Sequence, residues 1–196
     1  LFQPYDLDNL HLKNRIVMAP MTRARATTTV PDGLTVEYYR QRATAGLIIS
    51  EGAPISREGC GYLRNPGLYT SEQAAGWRKV TNAVHAKGGK IFAQLWHVGR
   101  MSHTSLQPDG RSPVSSVAIM ARNSKAYAIT ETGEAGMIQA SIPRAIETEE
   151  VQRVTQDFVN AARVAIDAGF DGVELHGANG YLFEQFINGA LNTRTD

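Results

Sequence analysis

Hydrophobic positions along the chain follow two rhythms. Short apolar runs alternate with longer stretches whose apolar residues recur at helical spacing. Ile16-Val17-Met18-Ala19, closed by Pro20, reads as a strand buried on both faces. Leu47–Gly52 and Ile91–Trp96 read as a second and a third strand. Gly172–Leu175 reads as a fourth, with Val173 and Leu175 flanking Glu174 and Gly177 and Gly180 breaking the run. Helical spacing fills the intervals. Leu34, Tyr38 and Ala43 mark a helix over 34–44 that Gly46 ends. Ser71 is the predicted N-cap of a helix with Trp77, Val80 and Val84 on one face, closed by Lys87-Gly88-Gly89. Thr148 precedes Glu149 and Glu150, acidic groups that suit a helix start, and Val151, Val154, Phe158, Ala161 and Ala165 form the stripe that follows, up to Gly169. Leu182–Ile187 makes a short final turn of helix.

Two regions break this alternation. Residues 2–15 read as a hairpin about Asp8-Asn9, an element able to plug the closed end of a barrel. Residues 97–146 are far longer than an ordinary connection, and their alternating stretches Ser116–Met120 and Ala126–Ile129 predict an inserted hairpin or lid. Four strands separated by three helices imply βαβ units and a parallel α/β sheet. A closed barrel needs eight strands and about 250 residues. The pattern therefore allows an open four-stranded sheet or half of a barrel.

Composition narrows the function classes. The 196 residues carry a net charge of +1, which excludes a basic stripe for nucleic acid, and no apolar run reaches membrane length. With 42% hydrophobic and 20% charged residues, the chain is globular material. Cys60 is the single cysteine, read as an inert loop thiol. No internal disulfide can form, so a cytoplasmic setting is the expectation. Leu1 stands where a native chain has Met, and Asn192–Asp196 reads as the middle of a polar loop.

Polar groups gather at the predicted strand tips: Thr22, Gly52, Gln94 with Trp96, and His176 with Asn179. Barrel enzymes keep their chemistry at such tips. Gly59-Cys60-Gly61 lacks the third glycine of a dinucleotide fingerprint, and neither a nucleophile elbow nor a metalloprotease helix is present. His97, His103 and His176 lack a nearby carboxylate in the sequence to complete a metal shell, so no metal is expected. His176 and Asn179 can both donate hydrogen bonds to an oxygen on which negative charge builds, and Tyr181 can offer a phenolic proton. A satisfied core histidine in a glycine-rich turn explains His176 equally well. Thr22 also reads as a helix cap, Gln94 as a loop tie, and Tyr62 and Trp96 as core aromatics.

The stretches Ala19–Arg23, Gln94-Leu95-Trp96-His97-Val98-Gly99-Arg100 and Glu174–Leu182 change that balance. Through them the chain resembles the Old Yellow Enzyme family of FMN-dependent ene-reductases, along essentially its whole length. The resemblance implies an eight-stranded (β/α)8 TIM barrel with an N-terminal hairpin cap and a lid after strand three. Residues 1–196 would be the N-terminal half of that single domain, with 97–146 as the lid. It implies that Ala19, Pro20, Met21 and Thr22 line the flavin, with Gly52 packed against it and Gln94 on its pyrimidine edge. Cysteine-bearing branches of the family differ at Thr22. His176 and Asn179 would bind the substrate's activating oxygen, His176 also bordering the flavin. Tyr181 would donate the proton, and Tyr62 and Trp96 would wall the pocket. The implied reaction is ping-pong: NAD(P)H reduces FMN, and hydride then passes to the β-carbon of an activated alkene. The family's second half-barrel, with its phosphate-binding loops, has no counterpart in these residues. The resemblance thus also leaves the alternative of a non-catalytic fragment or split half-barrel that needs a complementing C-terminal half to bind FMN.

Overall fold

The computed structural model describes residues 1–196, which divide into two compact units. The first comprises Leu1–Ala53, Arg64–Leu95 and Ala161–Leu175. The second comprises Pro54–Leu63, Trp96–Asn160 and His176–Asp196.

The first unit opens with the expected hairpin, β1 (Tyr5–Leu7) antiparallel to β2 (Leu10–Leu12). Leu10 and Leu12 pack on Leu47, Ile49 and Phe92, so the hairpin's apolar side chains meet the sheet residues. The sheet itself runs β10-β5-β4-β3, where β3 is Val17–Met18, β4 Leu47–Pro54, β5 Ile91–Trp96 and β10 Gly172–Leu175. Val17 pairs in parallel with Leu47, and Gly172 in parallel with Phe92. The central strand β4 is buried throughout, which its apolar run explains. β3 departs from expectation. It is two residues long and lies at the sheet edge, with Val17 52% exposed rather than buried on both faces.

Helices α1 (Gly33–Arg42) and α2 (Ser71–His85) pack together in this unit. Asp32 caps α1 by accepting from the backbone N–H groups of Leu34 and Thr35. The cap of α2 is Thr70, not Ser71. Thr70 accepts from the Gln73 N–H while the Gln73 side chain accepts from the Thr70 N–H, a reciprocal capping box that only Thr70 has the spacing to make. On the buried face of α2, Trp77 lies 5.9 Å from the ring of Tyr39 and 5.3 Å from that of Phe170. Its indole N–H donates to the Gly67 carbonyl at 3.0 Å.

The second unit contains the inserted hairpin. β7 (Lys125–Ile129) pairs antiparallel with β8 (Ala135–Gln139), and β6 (Val114–Ser115) pairs in parallel with β9 (Arg144–Ala145). Ser116–Met120, expected as one arm of the hairpin, contains no strand; the second arm is Ala135–Gln139. Ala126 and Ala128 turn inward onto Leu63, Leu106 and Ile138. The Tyr127 carbonyl accepts from the Leu63 N–H at 2.8 Å, tying the hairpin to the segment that carries Tyr62. Val151, Val154 and Phe158 of α3 (Thr148–Asp167) join Val114, Ile146, Leu182 and Phe186 in a second core cluster. The final helix is α4 (Leu182–Ile187).

Trp77 is fully buried and bonded, so Trp77→Ala is expected to destabilise the protein by about 3–5 kcal/mol. Chemical denaturation checks this, and a loss below about 1 kcal/mol would contradict the packing described.

Candidate functional site

Four of the residues singled out by sequence form one aromatic assembly in the second unit. Trp96, the last residue of β5, is 2% exposed. Tyr62 stacks on it with ring centroids 5.6 Å apart and planes inclined by 25°. His176 stacks on it at 5.9 Å and 20°. Tyr181 stands edge-on to both rings, 4.8 Å from Trp96 and 4.9 Å from His176. Offset stacks and T-shaped contacts are the arrangements that aromatic quadrupoles favour. The Trp96 N–H is buried without an acceptor, so the indole serves this cluster as an apolar platform.

The turn after β10 sets the polar groups on that platform. His176 Nδ1 accepts from the Ala178 backbone N–H at 3.4 Å, a long bond that leaves Nε2 as the donor of the neutral ring. Asn179 adopts φ 59°, and Gly180 follows at φ 76°. Asparagine tolerates this left-handed conformation better than most residues, which explains an Asn-Gly pair at the bend. Asn179 is exposed there. Tyr181 is the N-cap of α4 but uses no side-chain bond for capping. Burial, and then the neighbouring Tyr62 hydroxyl, push its phenol above the ordinary range, so it stays protonated well beyond neutral pH.

The first unit carries the remaining expected residues. Ala19, Met21 and Thr22 are exposed after β3, and Pro20 is half-buried. Gly52 is buried, and its carbonyl accepts from the Asn65 side chain at 2.8 Å. Gln94 is 6% exposed, with Nε2 donating to Glu174 at 2.7 Å and its backbone N–H donating to the Ser50 hydroxyl at 3.1 Å. Gln94 and Glu174 are register partners on β5 and β10, so the carboxylate fixes the carboxamide's orientation and leaves its oxygen as an acceptor. Glu174 had been read only as the polar member of an alternating strand.

Two acids, Glu51 buried and Glu58 half-buried, were given no task by the sequence reading. Glu51, 2% exposed on β4, accepts from the Arg23 and Ala24 backbone N–H groups at 3.0 and 3.1 Å. It thereby anchors the turn that begins at Thr22. Burial raises its carboxyl above the usual range, against the pull of those two bonds. The signal was available, because a carboxylate inside an apolar strand run is rare without a task. In the second unit Glu58 meets Arg153 at 2.7 Å, Arg144 at 3.5 Å and His97 at 3.9 Å. Burial raises the Glu58 carboxyl, but the nearby His97 imidazole and the bonded Arg153 guanidinium outweigh that and hold it low. Its partners lie far away in sequence, and no local pattern reveals them.

The NADH:flavin oxidoreductase / NADH oxidase family matches residues 1–196. 12-oxophytodienoate reductase 1 of Oryza sativa subsp. japonica is 45% identical over 197 residues, covering 100% of this chain and 49% of that protein. The solved structure of morphinone reductase superposes with a TM-score of 0.97 at 49% identity, covering 100% of this chain and 54% of that one in its complex with tetrahydroNAD. An old yellow enzyme homologue from Zymomonas mobilis superposes with a TM-score of 0.92 at 44% identity, covering 100% and 53%. The chain thus spans about half the length of the curated relatives it matches. Of the two architectures the sequence left open, the N-terminal portion of a (β/α)8 barrel is the one that stands.

The buried Glu51 makes a pH prediction. Its pKa is raised in the folded state, so the native protein binds this proton more tightly than the unfolded chain. Stability from this group is full below the ordinary value of 4.5 and falls as pH rises through the raised folded value. Glu51→Gln keeps an acceptor for the two N–H groups and removes the titration. Denaturation midpoints from pH 4.5 upward should show the wild type losing ground to the variant. A pH-independent difference between the two would contradict the assignment.

Proposed function

We propose, from the fact that the chain belongs to the NADH:flavin oxidoreductase / NADH oxidase family, that it carries the substrate-binding half of an FMN-dependent reductase of activated alkenes. The observation that carries this reading is the Trp96 assembly. It brings an imidazole donor and a phenol that keeps its proton against one apolar platform.

The residues fit the cofactor by their chemistry. Ala19, Pro20 and Met21 offer apolar contact for a flat ring system, with Met21 55% exposed. Thr22 and the oriented Gln94 offer hydrogen-bonding groups suited to a pyrimidine edge, and buried Gly52 adds close backbone approach. His176 is assigned to both cofactor and substrate. When bound, FMN supplies the hydride chemistry, with NAD(P)H as the source in a ping-pong cycle. The protein's own part is polarisation and proton delivery. His176 Nε2 and the Asn179 carboxamide donate to the carbonyl or nitro oxygen of an α,β-unsaturated substrate, stabilising the charge that builds there. Tyr181 gives its proton to the adjacent carbanion. Tyr62 and Trp96 hold the alkene flat against the site and exclude water. The names of the relatives, a 12-oxophytodienoate reductase and a morphinone reductase solved in complex with tetrahydroNAD, support this class. A cytoplasmic location is part of the proposal; the single cysteine supports it, and no helix is long and apolar enough to cross a membrane.

One observation favours a second, compatible reading, in which a complementing C-terminal half completes the FMN site. Both outer strands of the sheet present apolar residues, Val17 at 52% and Leu175 at 53% exposure. Open edges of that kind call for a covering partner. Mixing this chain with the corresponding second half of a relative should then raise flavin binding above that of this chain alone.

For the flavin-loaded protein, His176→Ala should weaken binding of a simple phenol roughly ten-fold or more, because a hydrogen bond to a charged oxygen is lost. Tyr181→Phe should slow alkene reduction by about 10²-fold while leaving flavin reduction by NAD(P)H intact. Titration and rapid-mixing absorbance check both. Unchanged phenol affinity in His176→Ala would overturn the assignment.

A further inference from the structure

Gln185 lies on α4 and is 1% exposed, yet every hydrogen-bonding atom of its carboxamide is engaged. Oε1 accepts from the Arg100 backbone N–H at 3.1 Å. Nε2 donates to the Val98 carbonyl at 3.1 Å and to the Gly180 carbonyl at 2.7 Å. These partners belong to two loops of the second unit. One follows Trp96, and the other is the turn between His176 and Tyr181.

The neighbourhood is shaped around this amide. A Cβ on Gly99 would fall 2.1 Å from Gln185 Oε1, so glycine at 99 leaves the space that the carboxamide fills. Gly99 also has φ 59°, and its N–H donates to His97 Nδ1 at 3.0 Å. Gly180 is held from both sides. Its carbonyl accepts from Gln185, and its N–H donates to the Glu184 carboxylate at 2.6 Å. The Leu182 N–H donates to the His97 carbonyl at 3.1 Å, closing the two loops on each other. The Gln185 backbone is fixed in turn, its carbonyl accepting from the Ser116 hydroxyl at 2.6 Å.

We infer that Gln185 is a positioning residue for proton delivery, clamping Gly180 so that Asn179 and Tyr181 keep register with Trp96 and His176. The inference rests on the roles proposed above for His176, Asn179 and Tyr181. Only a carboxamide can do this, because the clamp needs one acceptor and two donors in a single plane. Glutamate would set a carboxylate against two carbonyl oxygens, and leucine would leave three backbone groups without this partner. Misplacing a reacting group by about 1 Å costs on the order of 10²-fold in rate. The effect should therefore fall on the step that uses Tyr181.

The test uses flavin-loaded protein and separates the two half-reactions. Gln185→Leu should slow alkene reduction at least about ten-fold, while flavin content and the rate of flavin reduction by NAD(P)H stay within about two-fold. Gln185→Glu should be slow at neutral pH and recover relative to wild type as pH falls, because the protonated carboxyl regains one donor. A purely structural residue would show no such recovery. Gly99→Ala, which drives a methyl into the carboxamide, should reproduce the Gln185→Leu pattern. Wild-type alkene reduction in folded, flavin-loaded Gln185→Leu would overturn the inference. So would loss of flavin in all three variants, which would make Gln185 a folding residue only. His176→Ala in the same assay isolates the premise: if it reduces alkenes at the wild-type rate, the site reading itself fails. If it is slow and Gln185→Leu is not, only the clamp is refuted.

Discussion

Ring stacking on Trp96 is the interaction around which the functional groups are arranged. The indole is buried, its N–H has no acceptor, and three other rings use its faces and edge. Each contact beyond simple burial is worth about 0.5–1.5 kcal/mol. Together they give Tyr62, His176 and Tyr181 a common reference surface, although they come from segments distant in sequence. The same apolar surroundings push the Tyr181 phenol further above its ordinary range. The platform that fixes the geometry thus also shifts the phenol's acidity.

Polar clamps do the finer work. Glu51 fixes the turn after β3 through two backbone bonds, Glu174 orients Gln94, and Gln185 holds the turn that carries Asn179 and Tyr181. Glu51 and Gln185 are side chains on regular elements reaching to irregular ones, whereas Glu174 ties one strand to its neighbour. Rigid strands and helices therefore impose their order on loops that have little regular hydrogen bonding of their own. A buried polar group that satisfies several backbone partners is expensive to lose, which makes such residues good determinants of loop position.

Much of this was legible in the sequence, for identifiable reasons. Apolar runs closed by Pro or Gly marked β4, β5 and β10, and helical spacing marked α2 and α3, because burial leaves a periodic trace. Strand tips rich in His, Asn, Gln and Thr marked where chemistry could lie, and the resemblance of three short stretches to one family gave those groups roles. What stayed hidden was set by distance or by edges. β3 read as a doubly buried strand, but its edge position exposes Val17. Ser116–Met120 alternates like a strand yet has no partner, whereas Ala135–Gln139, with Glu134 and Gly136 diluting its apolar signal, pairs across the hairpin. Ser71 and Thr70 are equally good caps by type, and only the Gln73 geometry chooses between them. Glu58 acts through partners dozens of residues away, and Gln185 joins the nearby Gly180 to the distant Val98 and Arg100, which no local pattern encodes.

The central claim is that these strand tips are built to work beside a flavin. The direct measurement is the visible absorbance of the purified protein after supply of FMN and removal of the excess, read with intact mass so that every polypeptide present is known. The account predicts a yellow species with one FMN per copy of residues 1–196 once a complete barrel is formed. A complete, folded barrel containing these residues that stays colourless would contradict it.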